Sequence, residues 1–193
     1  KRVGVATQGI DELKKNVDSL IVIPNQKLMD VLGDDVTMRD AFRAADDVLK
    51  GAVAGVAEVI TTPGFVNVDF ADVRTVMSLN GMAMMGTASA SGIDRARVAA
   101  EEAVASPLLD DITLVGARGL LVNISTAPGC LKMKEYSEIM EIITQLADAE
   151  ADMKFGTAEV EGMPEEEIRV TLIATGLAPN KKGREERNTR LEV

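Results

Sequence analysis

The sequence predicts an α+β fold in which helices pack on a small sheet and one long helix leads into it. Three observations carry this. Hydrophobic residues make up 46% of the 193, enough for the core of one large domain or of a domain with an appendage. From Met38 to Ile60 apolar residues recur at helical spacing, well beyond the ~11–12 residues of an average globular helix. Past Pro63-Gly64 the period changes, and short apolar runs alternate with amphipathic stretches. Aromatic residues are only 3% of the chain, so the core must be built from Val, Ile, Leu, Ala and the ten Met.

Taken in order, Gly9 to Ser19 reads as a helix with Ile10, Leu13 and Val17 on one face. Leu20-Ile21-Val22-Ile23 is an apolar run suited to a buried strand, broken by Pro24-Asn25. The long helix then sets Met38, Ala41, Phe42, Ala45, Val48, Leu49, Ala52, Val53, Val56, Val59 and Ile60 at helical spacing. Thr37 can cap its start and Pro63-Gly64 ends it. A helix of this length can reach from one domain into another, so a domain boundary is expected near its far end. Phe70 to Leu79 predicts a short helix, Gly81 to Gly86 a strand, and Ile93 to Ala105 a helix, with Ser91 and Asp94 spaced as a capping box. Gly119 to Ser125 reads as a buried strand. Tyr136, Ile139, Met140, Ile143, Leu146 and Ala147 mark another amphipathic helix, and Lys154 to Val160 a strand. Ile168, Val170 and Leu172 alternate with Arg169 and Thr171, the pattern of a half-buried strand running to Thr175. Beyond Gly176, Pro, Asn and mixed charges predict a disordered tail. No internal repeat is evident.

Composition narrows the function. The formal charge of −10 repels polyanions, so general nucleic-acid binding is not expected. No apolar run has the length to cross a bilayer and no signal peptide is visible, which predicts no direct membrane insertion. A single Cys130 allows no intrachain disulfide and fits a reducing compartment. These features together predict a soluble, cytoplasmic protein. The absence of His removes Ser-His-Asp and Cys-His catalysis and the usual His-containing metal sites. Chemistry here must run on carboxylates, amides, backbone groups or a bound cofactor. The chain begins at Lys1, which fits either a removed initiator or a piece cut from something longer.

Three constellations stand out. Asn67-Val68-Asp69-Phe70-Ala71-Asp72 sets two carboxylates and an amide in a short loop, where they can orient a water or hold a cation. The same residues suit Asp69 as an N-cap and Asp72 as the N3 acid of a capping box, and the two readings are compatible. Gly86-Thr87-Ala88-Ser89-Ala90-Ser91-Gly92 precedes a helix but lacks the Lys of a P-loop, and reads as a flexible connection. Phe42 and Asp46 lie one helical turn apart, so a ring and a carboxylate can meet a purine face and edge, or be simply core and solvated surface. Cys130, in Ala127-Pro128-Gly129-Cys130, has no neighbouring base in sequence to activate it.

The order of these signals resembles the FtsZ family of tubulin-like division GTPases. Val17-Asp18-Ser19-Leu20-Ile21-Val22-Ile23-Pro24-Asn25 looks like the strand and loop before that family's central helix. Asp40-Ala41-Phe42, Asp46, Val48-Leu49 and Gly51 are similar to the helix itself, and Asn67-Val68-Asp69-Phe70-Ala71-Asp72-Val73 to its synergy loop. Ser106-Pro107-Leu108-Leu109, Gly116-Ala117-Arg118-Gly119 and Ala174-Thr175-Gly176 continue the match, from about Lys1 to Leu177 in collinear order.

The resemblance implies a remnant of the α/β GTP-binding domain over residues 1–35 and a central connecting helix over 36–62. It implies a C-terminal α+β domain with a four-stranded sheet over 63–177, then the tail over 178–193. It implies GTP/GDP as the nucleotide, contacted by Arg2, Asn25, Phe42 and Asp46, with magnesium accompanying only the complete site. Asn67, Asp69 and Asp72 would be the catalytic contribution, lent to a neighbour in a head-to-tail homopolymer at the division ring, with division regulators as further partners. No protein metal site is implied. The family's Gly-Gly-Gly-Thr-Gly phosphate-binding signature is absent, so this polypeptide by itself is expected to be inactive. Two rival readings stay open on the residues alone. One is a non-catalytic assembly module whose acidic loop is only a helix cap; the other is a metal hydrolase using Asp69 and Asp72.

Overall fold

The computed structural model describes residues 2–22, 37–79, 81–106, 109 and 116–177. The expected tail over 178–193 and the Pro24-Asn25 strand break lie outside them. Five strands form one mixed sheet in the order β1 (Ser19–Ile21), β2 (Gly81–Ser91), β5 (Glu167–Leu177), β3 (Gly119–Thr126), β4 (Asp152–Glu159). The helices are α1 (Arg2–Leu13), α2 (Met38–Thr61), α3 (Phe70–Met77), α4 (Arg95–Val104) and α5 (Met133–Leu146). The α+β class holds. The sheet has one strand more than the four implied by the resemblance, because β1 pairs in parallel with β2, Ser19 opposite Gly81. The Ser19 hydroxyl ties this strand to the end of α3 by donating to the Met77 carbonyl at 2.6 Å. No helix among the described residues is long and apolar enough to cross a membrane.

Alternation along the central strands builds two cores. Leu120, Val122 and Ile124 of β3 join Ile168, Val170 and Leu172 of β5 on one face, where α4 and α5 bring Ala96, Ala99, Ala103, Ile139 and Ile143. On the other face Leu121, Ile173 and Met85 meet Val59 of α2, Val73 and Val76 of α3, and Val68. β5 was expected to be half-buried, with Arg169 and Thr171 toward water. Its alternation is in phase as predicted, but the strand is buried along nearly its whole length because α2 covers the polar side. Glu58 of α2 accepts from the Arg169 guanidinium at 2.8 Å and from the Ser125 hydroxyl at 2.9 Å.

Other expectations shift. The first helix begins at Arg2 rather than Gly9 and is mostly exposed, so the Ile10, Leu13 and Val17 pattern does not set its position. Thr37 caps α2 as predicted, accepting from the Asp40 N–H at 3.2 Å, and the helix ends at Thr61 ahead of Pro63-Gly64. Of its periodic apolar residues Val59 is buried, whereas Met38, Phe42, Val53 and Ile60 are exposed. The stretch from Gly86 read as a connection is the far half of β2, paired with β5 as far as Ser91 opposite Glu167. Ser91 is therefore a strand residue and caps nothing; Asp94 sits at the N-cap of α4 without a side-chain cap bond. The far half of β2, from Gly86 to Ser91, is made of small residues, and α4 lies directly on the strand: a Cβ at Gly86 would run into the Ala103 carbonyl.

Candidate functional site

The acidic loop is fixed by backbone before any side chain is considered. Where α2 ends, residues 63–67 run along the outer edge of β4. The Thr157 N–H donates to the Val66 carbonyl at 2.9 Å, and the Glu159 N–H to Pro63 at 3.3 Å. The Val66 N–H donates to the Thr157 hydroxyl at 2.9 Å. Gly64 is required at its position, since a Cβ there would overlap the Thr157 carbonyl. Gly64→Ala is expected to cost about 1–3 kcal/mol, as overpacked sites do. Equal urea midpoints for the two proteins would show that the loop is not pinned this way.

Each predicted loop residue then has its own anchor. The Asn67 side-chain oxygen accepts from the Gly64 N–H at 3.0 Å, which leaves its amide donors toward solvent. Asp69 is the N-cap of α3, one carboxylate oxygen accepting from the Asp72 N–H at 2.7 Å. The N-cap half of the sequence reading is therefore observed. Asp72 occupies the N3 position, but its Oδ1 forms an ion pair with Lys154 Nζ at 3.4 Å across to β4. Lys154 also meets Asp152 at 3.3 Å. Asp152 first, then Asp72, raise the Lys154 ammonium above its ordinary range, so it stays charged at any working pH. One oxygen of each loop carboxylate is thus engaged. Among the described residues no group of three or more Cys, Asp or Glu side chains converges to hold a metal ion.

The nucleotide candidates lie elsewhere. Phe42 and Asp46 are both exposed in the first half of α2, with Phe42 59% accessible. An exposed ring with a carboxylate one turn along can offer a flat face and a hydrogen-bond acceptor to a ligand. Arg2 opens α1, and nothing of its side chain is described; Asn25 lies outside the described residues. From Phe42 to the end of α2 at Thr61 the helix rises about 28 Å, which separates the two groups by more than one nucleotide can span. The structure therefore brings Asn67, Asp69 and Asp72 together in one loop, and sets Phe42 and Asp46 far from them.

Sequence reasoning missed Lys154, whose only sign was a cation in an edge strand. It also missed Arg95, which is almost fully buried at the start of α4. Arg95 donates to both Glu135 oxygens at 2.7 and 3.0 Å and to the carbonyls of Glu165 and Cys130 at 2.7 and 2.8 Å. Its partners lie 35 to 70 positions away, so no local pattern announces it.

The chain is similar to known proteins along most of its length. The family described as FtsZ family, C-terminal domain, matches residues 81–178. A cell division protein FtsZ from Neisseria meningitidis is 64% identical over 178 residues, covering 92% of this chain and 45% of that protein. Two solved M. jannaschii structures are similar in shape. An FtsZ variant has a TM-score of 0.81 at 38% identity, covering 89% of this chain and 51% of that one. An empty FtsZ dimer has 0.80 at 37%, covering 88% and 48%. The chain spans about half the length of the curated relatives it matches.

Proposed function

The chain belongs to the FtsZ family, and from that membership and the geometry above we propose that it is the activating portion of a filament-forming cell-division GTPase. In this reading residues 1–35 belong to the nucleotide domain, 36–62 connect, and 63–177 form the C-terminal domain. Phe42 and Asp46, with Asn25 and Arg2, contact the guanosine of their own subunit. Asn67, Asp69 and Asp72 act on GTP bound by the next subunit in a head-to-tail polymer.

The observation that carries this is the separation of the two groups along α2. Residues that one nucleotide cannot reach together can still serve one reaction if they come from two subunits. GTP supplies the phosphoanhydride and, with magnesium at a complete site, the charge-neutralised leaving group. The loop carboxylates orient the attacking water through the oxygens that Lys154 and the Asp72 N–H leave unengaged, and can accept its proton. The Asn67 amide donors would meet a phosphate oxygen. Having these groups held beforehand saves ordering them at the moment of reaction.

Asp69 as an N-cap supports a second reading, in which the loop is structural and the protein only assembles. The two differ in what happens to chemistry when a carboxylate becomes an amide.

This 193-residue chain is expected to bind guanine nucleotide weakly and to hydrolyse no GTP. Its sequence lacks the glycine-rich phosphate loop that supplies a cradle of backbone N–H groups. Calorimetry on the pure chain tests this, and micromolar GTP affinity would overturn the half-site assignment. Added to full-length Neisseria meningitidis FtsZ, the chain is expected to change GTP turnover, and its Asp72→Asn form to do so differently. Identical turnover with and without the chain would count against docking.

A further inference from the structure

We propose that Lys154 is a positioning residue that aims the Asp72 carboxylate at the nucleotide of a neighbouring subunit, an inference that rests on the reading of Asp72 given above. Lys154 does not belong to the acidic loop. It stands on β4, which is paired with β3 from Asp152 to Glu159 and is therefore a rigid base. From there its ammonium meets Asp72 Oδ1 at 3.4 Å and Asp152 Oδ1 at 3.3 Å. Asp152 lies two residues earlier, on the same side of the strand. It keeps the lysine head in place, so the cation is a fixed post and not a free surface charge.

The two loop carboxylates are thus held by different means. Asp69 is aimed by a backbone N–H, the Asp72 amide, which cannot be removed by changing a side chain. The Asp72 carboxylate is aimed by Lys154, whose ammonium lies 3.4 Å from Oδ1. The side chains of Lys154 and Asp72 are 31% and 39% accessible, a partly exposed pair of the kind that adds little to stability. Its effect is on where the carboxylate points.

The test uses full-length subunits carrying this sequence. Lys154→Met is expected to lower kcat by up to about 10²-fold, the cost of a catalytic group displaced by ~1 Å. KM, the assembly threshold and the thermal midpoint should stay in place. Lys154→Arg should recover most of the loss, since a guanidinium can bridge the same two carboxylates. In an Asp72→Asn background Lys154→Met should cause no further loss, because a residue acting only through Asp72 has nothing left to aim. An unchanged kcat in Lys154→Met, or an undiminished loss on top of Asp72→Asn, overturns the proposal and leaves the catalytic reading of Asp72 standing. Normal turnover in Asp72→Asn alone removes that reading, and the proposal falls with it.

Discussion

Asp72→Asn, in a full-length subunit carrying this sequence, is expected to lower GTP turnover by about 10²-fold or more, the scale of a lost water-orienting base, and to leave GTP binding intact. Binding is expected to survive because Phe42 and Asp46, the proposed base contacts, sit in the first half of α2, away from the loop that follows its far end. Asp69→Asn is the sharper companion. Asn caps a helix as well as Asp does, so the bond to the Asp72 N–H is kept and only the charge is lost. A purely structural loop therefore predicts normal stability and normal turnover for Asp69→Asn. A catalytic loop predicts normal stability and slow turnover. Asp69→Ala, which removes the cap as well, should cost ~0.5–2 kcal/mol in addition. The measurement is turnover per polymerised subunit, with nucleotide binding and thermal midpoints taken on the same samples. Near-normal turnover in both Asn variants sinks the catalytic role, and parallel loss of binding and turnover points to misfolding.

The second large effect is expected in stability. Arg95 ties the start of α4 to Glu135 in the first turn of α5 and to the turns at Cys130 and Glu165, through four hydrogen bonds. Arg95→Met strands a buried carboxylate and two carbonyls, and is expected to cost about 3–5 kcal/mol, read as a fall in the urea midpoint. The pH dependence gives an independent check. Burial alone would raise the Glu135 carboxyl, but hydrogen bonds from Arg95 and the Lys132 N–H outweigh it and hold it below its ordinary 4.5. The stabilisation is therefore complete above pH 4.5 and is lost as pH falls through the lowered native value. In Arg95→Met burial is no longer opposed by the guanidinium, so Glu135 takes up a proton more readily. The gap between mutant and parent should then narrow in mild acid. A gap that is constant from pH 7 to mild acid would show that lost packing, not the stranded charge, sets the cost.

Local chemistry was legible in the sequence, and long-range cover was not. Thr37 and Pro63-Gly64 bound α2 as their capping and breaking properties require, and Asp69 caps α3 as its type and spacing suggest. β5 shows the limit. The alternation of Ile168, Val170 and Leu172 with Arg169 and Thr171 gave the right phase, but the cover over its polar side comes from Glu58, over 100 residues away. β2 was cut short because Gly, Ala and Ser carry little strand preference. The small side chains of its far half instead answer to α4, whose alanines share a core with Ala88 and Ala90. At the candidate site the Asn67–Asp72 loop could be read directly. Lys154 could not, because its partner in space is 82 positions distant in the chain (72 against 154).

The backbone bonds that fix the acidic loop have a consequence for solubility. β4 is the last strand of the sheet, and its outer N–H groups at Thr157 and Glu159 would otherwise be free to pair with a strand from another molecule. The loop occupies them, with Lys154 as a charged sentinel on the same strand. Damage to the segment from Pro63 to Asn67 should therefore do more than disturb the candidate site. It would uncover a sticky edge, and the altered protein is expected to be lost to strand-paired aggregates.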